Sequence, residues 1–188
     1  WRSAMRPFTS TISLDEARRR LDANVRPIER IERVRLEESA GRVAAADVAS
    51  PIDVPPFARS AMDGYAVVAA DTGGASREAP VRLRQLDRIF TGTISTRVVT
   101  PGTCAEIATG APLPAGADAV VMVEESAKAD AGTIDIFAAA AAGQNIGKRG
   151  ADIRAGDRVI ASGDSVTPGR VGALAAIGCV DVEVFAKP

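Results

Sequence analysis

Apolar residues recur at helical spacing near the start of the chain. Leu14 and Leu21 lie two helical turns apart, with Ala17 between them on the same face. Ser13 is followed three positions later by a glutamate, which is the form of a capping box. The pattern therefore predicts a helix over residues 14–23, preceded by an arm over residues 1–12.

A second helix and two strands are predicted from similar patterns. Thr167 is a suitable N-cap, a proline follows it, and Gly178 matches the usual end of a helix. Apolar and acidic residues then alternate over residues 180–184, which is typical of a strand with one buried face. A less regular alternation over residues 28–36 indicates another strand.

Between these ends, the chain predicts short strands separated by turn residues such as Pro101-Gly102. Short strands with regular turns are typical of a compact antiparallel β domain, either a barrel or a sandwich. The most apolar of them, at residues 118–123, is expected at the centre of the sheet. The predicted strands of this domain cover residues 81–86, 97–99, 103–108, 119–124 and 133–137, and a separate strand is predicted after the domain, at residues 157–161.

Composition narrows the classes of partner. The 188 residues are enough for one large or two small domains, and 23 basic residues against 24 acidic ones leave a net charge of -1. Such a balance does not attract nucleic acid or an anionic membrane, and no apolar run is long enough to span a bilayer. We therefore expect a cytoplasmic protein that binds neither nucleic acid nor membrane.

The chain contains no histidine and two cysteines. Ser-His-Asp and Cys-His catalysis and histidine-containing metal sites are therefore excluded. Cys104 and Cys179 lie far apart and outside any metal-binding pattern, so we interpret them as buried small apolar residues. A disulfide or a reactive thiol is the alternative. No metal site is predicted, and carboxylates, hydroxyls, basic side chains and backbone amides are left to carry any chemistry.

The most distinctive stretch is PPFARSAMDGYAV, residues 55–67. Its two prolines fix the backbone, and Asp63-Gly64 is a tight-turn signal before a strand-like tail. The Asp63 carboxylate is suited to binding a ligand or accepting a proton, although an aspartate before glycine is often only a turn former.

A second stretch, ATGAPLPAGAD at residues 108–118, combines Thr109-Gly110 with two prolines. A stiff, exposed loop of this kind can present a hydroxyl and backbone amides to an anion, and a structural hairpin loop is the alternative. The basic residues at 18–20 and 148–149 are further candidates for anion binding. Their alternatives are a solvated helix face and a surface loop.

These two stretches resemble the hallmarks of one family. The first resembles PPFxxSAMDGYAV and the second resembles TGAPLPxGADxVVxxE, both found in the molybdopterin molybdenumtransferases, or molybdenum insertases. The family includes bacterial MoeA proteins, the plant insertase domain and the E domain of gephyrin. Ala58 departs from the pattern, since the family commonly has aspartate there.

The resemblance implies an enzyme that inserts molybdenum from molybdate into adenylylated molybdopterin and releases AMP in a magnesium-dependent reaction. It implies an elongated homodimer, with a molybdopterin adenylyltransferase as a partner in the same pathway. Asp63 and Thr109 are the implied catalytic residues. The residues implied in substrate binding are Ser60, Gly64, Tyr65, Gly110, Pro112 and Asp118.

The implied fold is of the α+β class with two domains. Residues 1–45 and 143–188 form a discontinuous α/β domain, and residues 46–142 form an inserted β domain. The nucleotide-handling catalytic domain and a C-terminal β domain are expected beyond Pro188, so this chain is expected to be inactive alone. It would supply dimerisation and one wall of the active-site cleft. The alternative is a non-catalytic dimerisation or scaffold module of the gephyrin type.

Overall fold

The structure, a computed structural model, describes residues 10–188, and most of the predicted N-terminal arm lies outside that range. No helix in the described range is both long and apolar enough to cross a membrane. The helices are α1 (Leu14–Asn24) and α2 (Pro168–Ala176). The strands are β1 (Ile31–Arg35), β2 (Val48–Ala49), β3 (Arg59–Ser60), β4 (Gly64–Val67), β5 (Val81–Ile89), β6 (Thr103–Ile107), β7 (Ala119–Met122), β8 (Ser126–Asp130), β9 (Thr133–Ile136), β10 (Ile146–Gly147), β11 (Arg158–Ile160) and β12 (Asp181–Phe185).

Helix α1 confirms the first predicted helix. The Ser13 hydroxyl accepts a hydrogen bond from the Glu16 amide at 3.2 Å, so half of the capping box is present. The Glu16 carboxylate instead pairs with Arg19 and Arg20. No residue of α1 is buried. The helix therefore owes its order to its cap and its ion pairs, and its three arginines belong to a solvated face.

Helix α2 confirms the second predicted helix and is packed. The Thr167 hydroxyl caps it by accepting a hydrogen bond from the Arg170 amide, and Gly178 follows its end with a φ of +82°. Leu174 is fully buried against the valines of β12. Capping fixes the ends of this helix, and burial of its apolar face supplies the stability that a nine-residue helix lacks alone.

The alternating patterns at both ends of the chain form strands as predicted, and these strands, β1 and β12, pair antiparallel. Val34 lies opposite Val182, and Val182 and Val184 are buried. They share an apolar cluster with Ala44 and with residues of α2 and β11. The early and late parts of the chain therefore form one core. The predicted domain boundaries stay a prediction.

The largest sheet has six strands in the order β7-β4-β6-β5-β9-β8. The fold thus combines a mixed sheet with few helices. The prediction of a purely antiparallel β domain is wrong at one strand pair, because β5 and β6 are parallel. A connection as long as residues 90–102 permits parallel pairing, whereas a two-residue hairpin does not. The strand predicted at residues 97–99 lies in this connection and is absent from the structure.

Strand β7 lies at one end of this sheet, so the central position expected for residues 118–123 is wrong. Its apolar character has another cause. Val120 packs into one buried cluster and Val121 into another, so both faces of the strand are covered. The outer edge of β7 is covered by residues 144–145, which exchange hydrogen bonds with the backbone of Val120.

Strand β8 was not predicted, because residues 126–130 carry no apolar alternation strong enough to indicate a strand. It forms the opposite end of the sheet and pairs only with β9 among the described strands. Lys128 and Asp130 are exposed on it.

Candidate functional site

The two hallmark stretches are hydrogen-bonded to each other. The Ser60 amide donates to the Ala111 carbonyl at 3.0 Å, and the Gly110 amide donates back to the Ser60 carbonyl at 2.8 Å. The Leu113 amide donates to the Ala58 carbonyl at 2.9 Å. Residues far apart in sequence are therefore held side by side by backbone pairing, and the side chains that follow them are brought together.

Asp63 and Thr109 meet at this junction. The Thr109 amide donates to Oδ1 of Asp63 at 2.7 Å, and the Thr109 hydroxyl donates to the same oxygen at 3.0 Å. No described residue donates a hydrogen bond to Oδ2 of Asp63, and the side chain is exposed. Thr109 thus fixes the carboxylate through one oxygen and leaves the other open to a ligand.

The same two bonds set the protonation state of Asp63. The Thr109 amide and then its hydroxyl lower the pKa of the Asp63 carboxyl, and partial desolvation opposes them weakly. The group is therefore ionised at neutral pH. It is suited to accepting hydrogen bonds or binding positive charge, and it is not a proton donor.

Gly64 is needed for close strand packing rather than for a turn. It begins β4 and lies between Ile107 of β6 and Met122 of β7, so the tight turn expected at Asp63-Gly64 is wrong. A Cβ atom at this position would overlap the carbonyl oxygen of Val121. The strand can start directly after Asp63 only because residue 64 has no side chain.

A pocket of about 210 Å³ opens beside Asp63 and Gly64. Its other polar walls are Arg88 of β5 and Glu106 of β6, and Phe90 lies at its side. The Arg88 Nε atom donates to Glu106 at 2.8 Å. The amide of Gln85 also donates to Glu106, at 3.1 Å. Glu106 is therefore held by two donors.

The remaining predicted site residues do not line this pocket. Ser60 is 1% exposed, and its hydroxyl bonds to the backbone of Met62 within its own turn. Tyr65 is buried, and burial raises the pKa of its phenol. Pro112 is also buried, and Gly110 uses its amide in the pairing with Ser60.

Asp118 lies at the far end of β4 from Asp63. Its Oδ1 atom accepts a hydrogen bond from the Ala69 amide at 2.6 Å, just beyond the Val67 end of the strand. At about 3.4 Å per residue, the strand alone separates the two aspartates by more than 10 Å. The structure therefore does not bring Asp118 to the pocket.

Sequence reasoning missed Arg88, Phe90 and Glu106. Arg88 and Glu106 are direct partners in the parallel register of β5 and β6. The strand predicted from residue 81 ended at residue 86, before Arg88, and the expected antiparallel pairing would have placed a residue other than Glu106 opposite Arg88. The opposite charges of Arg88 and Glu106 could have indicated that the two residues pair, but this pairing can be inferred only when the parallel register of β5 and β6 is known.

Residues 10–188 contain no group of three acidic or cysteine side chains placed to hold a metal ion. Mg²⁺ favours near-octahedral oxygen ligands. Here Oδ1 of Asp63 and Oε2 of Glu106 already accept hydrogen bonds, so the pocket offers only one open oxygen from each carboxylate. The described residues thus do not fit a magnesium site on their own.

Both cysteines are free thiols. Cys104 is buried as expected, and burial raises the pKa of its thiol to about 12, so it is not a reactive thiolate at neutral pH. Cys179 is half-buried.

Comparison with known proteins places these features in a family. Residues 12–178 match the family described as the MoeA N-terminal region, domain I and II. The chain is 40% identical over 183 residues to a molybdopterin molybdenumtransferase of Bacillus subtilis, covering 94% of this chain and 42% of that protein. It is 39% identical over 156 residues to molybdopterin molybdenumtransferase 2 of Mycobacterium tuberculosis, covering 82% and 38%.

A solved structure agrees with these sequence relatives. The molybdopterin biosynthesis moeA protein from Pyrococcus horikoshii OT3 superposes with a TM-score of 0.85 at 36% identity, covering 93% of this chain and 46% of that one. The chain therefore spans less than half the length of the relatives it matches.

Proposed function

Because this chain belongs to the MoeA N-terminal family, as its two hallmark motifs predict, we propose that it is the N-terminal part of a molybdenum insertase in molybdenum cofactor biosynthesis. The proposed reaction inserts molybdenum from molybdate into adenylylated molybdopterin, releases AMP and uses magnesium. The observation that carries the proposal is the Asp63–Thr109 pair, which joins the two motifs beside a pocket.

In this proposal Asp63 contacts the substrate, and Thr109 positions the Asp63 carboxylate. The ionised carboxylate accepts hydrogen bonds on its open oxygen, while Thr109 holds the other oxygen in place. Pockets that bury a drug-sized ligand usually have about 300–1,000 Å³, so a pocket of about 210 Å³ receives only part of a nucleotide-sized substrate. The chain therefore supplies one wall of the site, and the remaining length of the full protein supplies the magnesium and molybdate sites.

The substitution Asp63→Asn in the full-length protein tests this role. It keeps the shape of the side chain and removes its charge, so cofactor synthesis from adenylylated molybdopterin and molybdate is expected to fall at least tenfold. The exposed Asp130→Asn on β8 is the control and is expected to leave the rate unchanged. Full synthesis by the Asp63→Asn protein would show that the pocket is not part of the active site.

We also propose that the chain forms a homodimer through α1 and a second exposed apolar surface. Leu14 and Leu21 are 66% and 61% exposed. An apolar cavity of about 550 Å³, lined in part by Ile28, Val43 and Phe185, opens on the surface formed by β12 and the segment before β1. Exposed apolar surface of this size is typical of an interface.

Light scattering tests the dimer. The parent chain is expected at twice the monomer mass of 19.4 kDa, and Leu14→Ser with Leu21→Ser is expected to shift it towards monomer. The matched control is Ile94→Ser, which changes an equally apolar exposed residue on a different surface. A parent chain that stays monomeric at high concentration would exclude this interface.

The exposed apolar face of α1 also favours a second candidate, a dimerisation or scaffold module without catalysis. Cofactor synthesis by the full-length protein separates the two functions. Synthesis that is lost on Asp63→Asn substitution while the dimer stays intact supports the insertase, whereas a full-length parent protein that dimerises but makes no cofactor supports the scaffold. Supply of the substrate by a molybdopterin adenylyltransferase and a cytoplasmic location are further parts of the insertase proposal.

A further inference from the structure

Phe90 is unusually exposed for its type. Its side chain is 59% exposed beside the pocket that contains Asp63, in a chain with only five phenylalanines and 4% aromatic residues. Burial of a phenylalanine contributes about 1.5–3 kcal/mol to stability, so leaving it in water forgoes that gain. An exposed ring at the edge of a polar pocket offers a flat apolar surface to a ligand.

The backbone that carries Phe90 is held in place. The Thr93 hydroxyl accepts from the Phe90 amide at 3.1 Å and donates to the Phe90 carbonyl at 2.7 Å, which closes a tight turn. The Thr91 hydroxyl donates to the Thr109 carbonyl at 3.0 Å. The segment that carries the ring is therefore hydrogen-bonded, through Thr91, to the residue that positions Asp63, and this bond links the two sides of the pocket.

The charges of the pocket argue against an oxyanion. Asp63 and Glu106 contribute two negative charges, and Arg88, the one basic residue of the lining, is already bonded to Glu106. Molybdate or phosphate would enter a site of net charge -1 with no free positive partner, which is unfavourable. An open carboxylate oxygen is instead matched by the N–H groups of a neutral heterocycle.

We propose that Phe90 and Asp63 together bind a planar nitrogen heterocycle, with the ring stacked on Phe90 and its N–H groups donating to Oδ2 of Asp63. This inference rests on the proposed function, whose substrate contains two such rings, the pterin and the adenine. It assigns to this wall a ring of the substrate and places the oxyanions elsewhere. The pocket volume of about 210 Å³ suits one bicyclic ring and not a whole nucleotide.

Titration of the 188-residue chain with separate probes tests the assignment. Pterin, adenine and sodium molybdate are added in turn, and binding is followed by calorimetry and by the backbone amide signals of Gly64, Phe90 and Thr109 in NMR spectra. Saturable binding of pterin or adenine with shifts at these amides supports the proposal, and the tighter probe identifies which ring is held. Binding of neither ring, or molybdate shifting these amides at lower concentration than both rings, would overturn it.

Substitutions separate stacking from folding. Phe90→Ala is expected to weaken binding of the ring about 5- to 150-fold, the range of aromatic stacking, and Phe90→Tyr is expected to preserve it. Ile94→Ala is the control, because Ile94 lies on the same connection, is 81% exposed and does not line the pocket that contains Asp63. Equal binding by the Phe90→Ala and parent chains would refute the role of Phe90.

The two proposals fail in different ways. If Asp63→Asn abolishes cofactor synthesis in the full-length protein while no ring binds here, the insertase proposal stands and the ring assignment is wrong. If the unsubstituted full-length protein makes no cofactor, the proposed function fails whichever probe binds.

Discussion

The Asp63 carboxylate takes both of its hydrogen bonds on one oxygen atom, and both come from Thr109. A single residue therefore controls the orientation of the carboxylate and the pKa of its carboxyl group. The amide of Thr109 has the larger effect on that pKa, and the hydroxyl the smaller. This division allows the hydroxyl to be removed while the backbone contact stays.

The substitution Thr109→Val is expected to raise the pKa of the Asp63 carboxyl part of the way towards its ordinary value. Valine has the shape of threonine without the hydroxyl, and the amide bond remains. The pKa is measured by NMR titration of the carboxyl carbon, with Thr109→Ser as the variant that restores the hydroxyl. In the full-length enzyme, the acid limb of the pH profile is expected to move upward by the same amount. An unchanged pKa in Thr109→Val would mean that the hydroxyl does not position the carboxylate.

At the level of single elements, replacing each of two glycines by alanine is expected to change the stability of the fold in opposite directions. A Cβ at Gly64 would overlap the backbone of β7, whereas a Cβ at Gly172 in α2 meets no atom within 4 Å. Gly64→Ala is therefore expected to destabilise the fold by about 1–3 kcal/mol through overpacking, or to prevent folding. Gly172→Ala is expected to stabilise it by about 0.5–1 kcal/mol, because alanine favours a helix interior.

Urea denaturation followed by circular dichroism measures both glycine variants. The two substitutions add the same methyl group, so a difference in sign isolates the effect of the backbone overlap. Equal stability of the Gly64→Ala and parent proteins would contradict the close approach of β4 to β7.

The two helices and the strands β1 and β12 were predictable because local signals determine them, whereas the pairing of β1 with β12 is long-range and was not predicted. Caps at Ser13 and Thr167, the glycine at 178 and strict alternation over 180–184 each act within a few residues. Pairing in the six-stranded sheet was not predictable, since parallel and antiparallel partners of β5 give the same local pattern. Strand β7 shows the same limit, because burial on both faces gives a run of apolar residues whether a strand is central or at an edge.

The candidate site divides in the same way. Asp63 and Thr109 were predicted from their motifs. They lie 46 residues apart in sequence, and the structure brings them into direct contact. Arg88, Phe90 and Glu106 were not predicted, because they meet Asp63 only through the register of β5 with β6. Ser60 shows that a residue inside a hallmark motif can serve the backbone turn that presents its neighbour.

For the whole molecule, the ionisable groups predict how stability depends on pH. The chain has no histidine, so little change is expected between about pH 5.5 and 7.5. Hydrogen bonds and arginines lower several carboxyl pKa values below those of the unfolded chain, and this stabilisation is lost as the pH falls through the lowered values. The affected residues are Glu32, Asp47, Asp53, Asp63 and Asp87.

The alkaline side has a different cause. The pKa of the Cys104 thiol is raised by burial to about 12, so above the ordinary value of 9.0 the thiol ionises in the unfolded chain before it does in the folded protein. The melting temperature is therefore expected to fall as the pH rises above about 9, and Cys104→Ala is expected to reduce that fall. A melting curve that changes between pH 5.5 and 7.5, or an alkaline limb unaffected by Cys104→Ala, would contradict this assignment.

The two edge strands of the six-stranded sheet also determine how this protein avoids aggregation. An uncovered strand edge is a template on which strands of another chain can add without limit, as in fibrils. Here the edge of β7 is sealed by residues 144–145, and the edge of β8 carries Lys128 and Asp130. Neither end favours strand addition. Self-association is thereby directed away from open-ended growth along the sheet and towards a closed contact elsewhere on the surface.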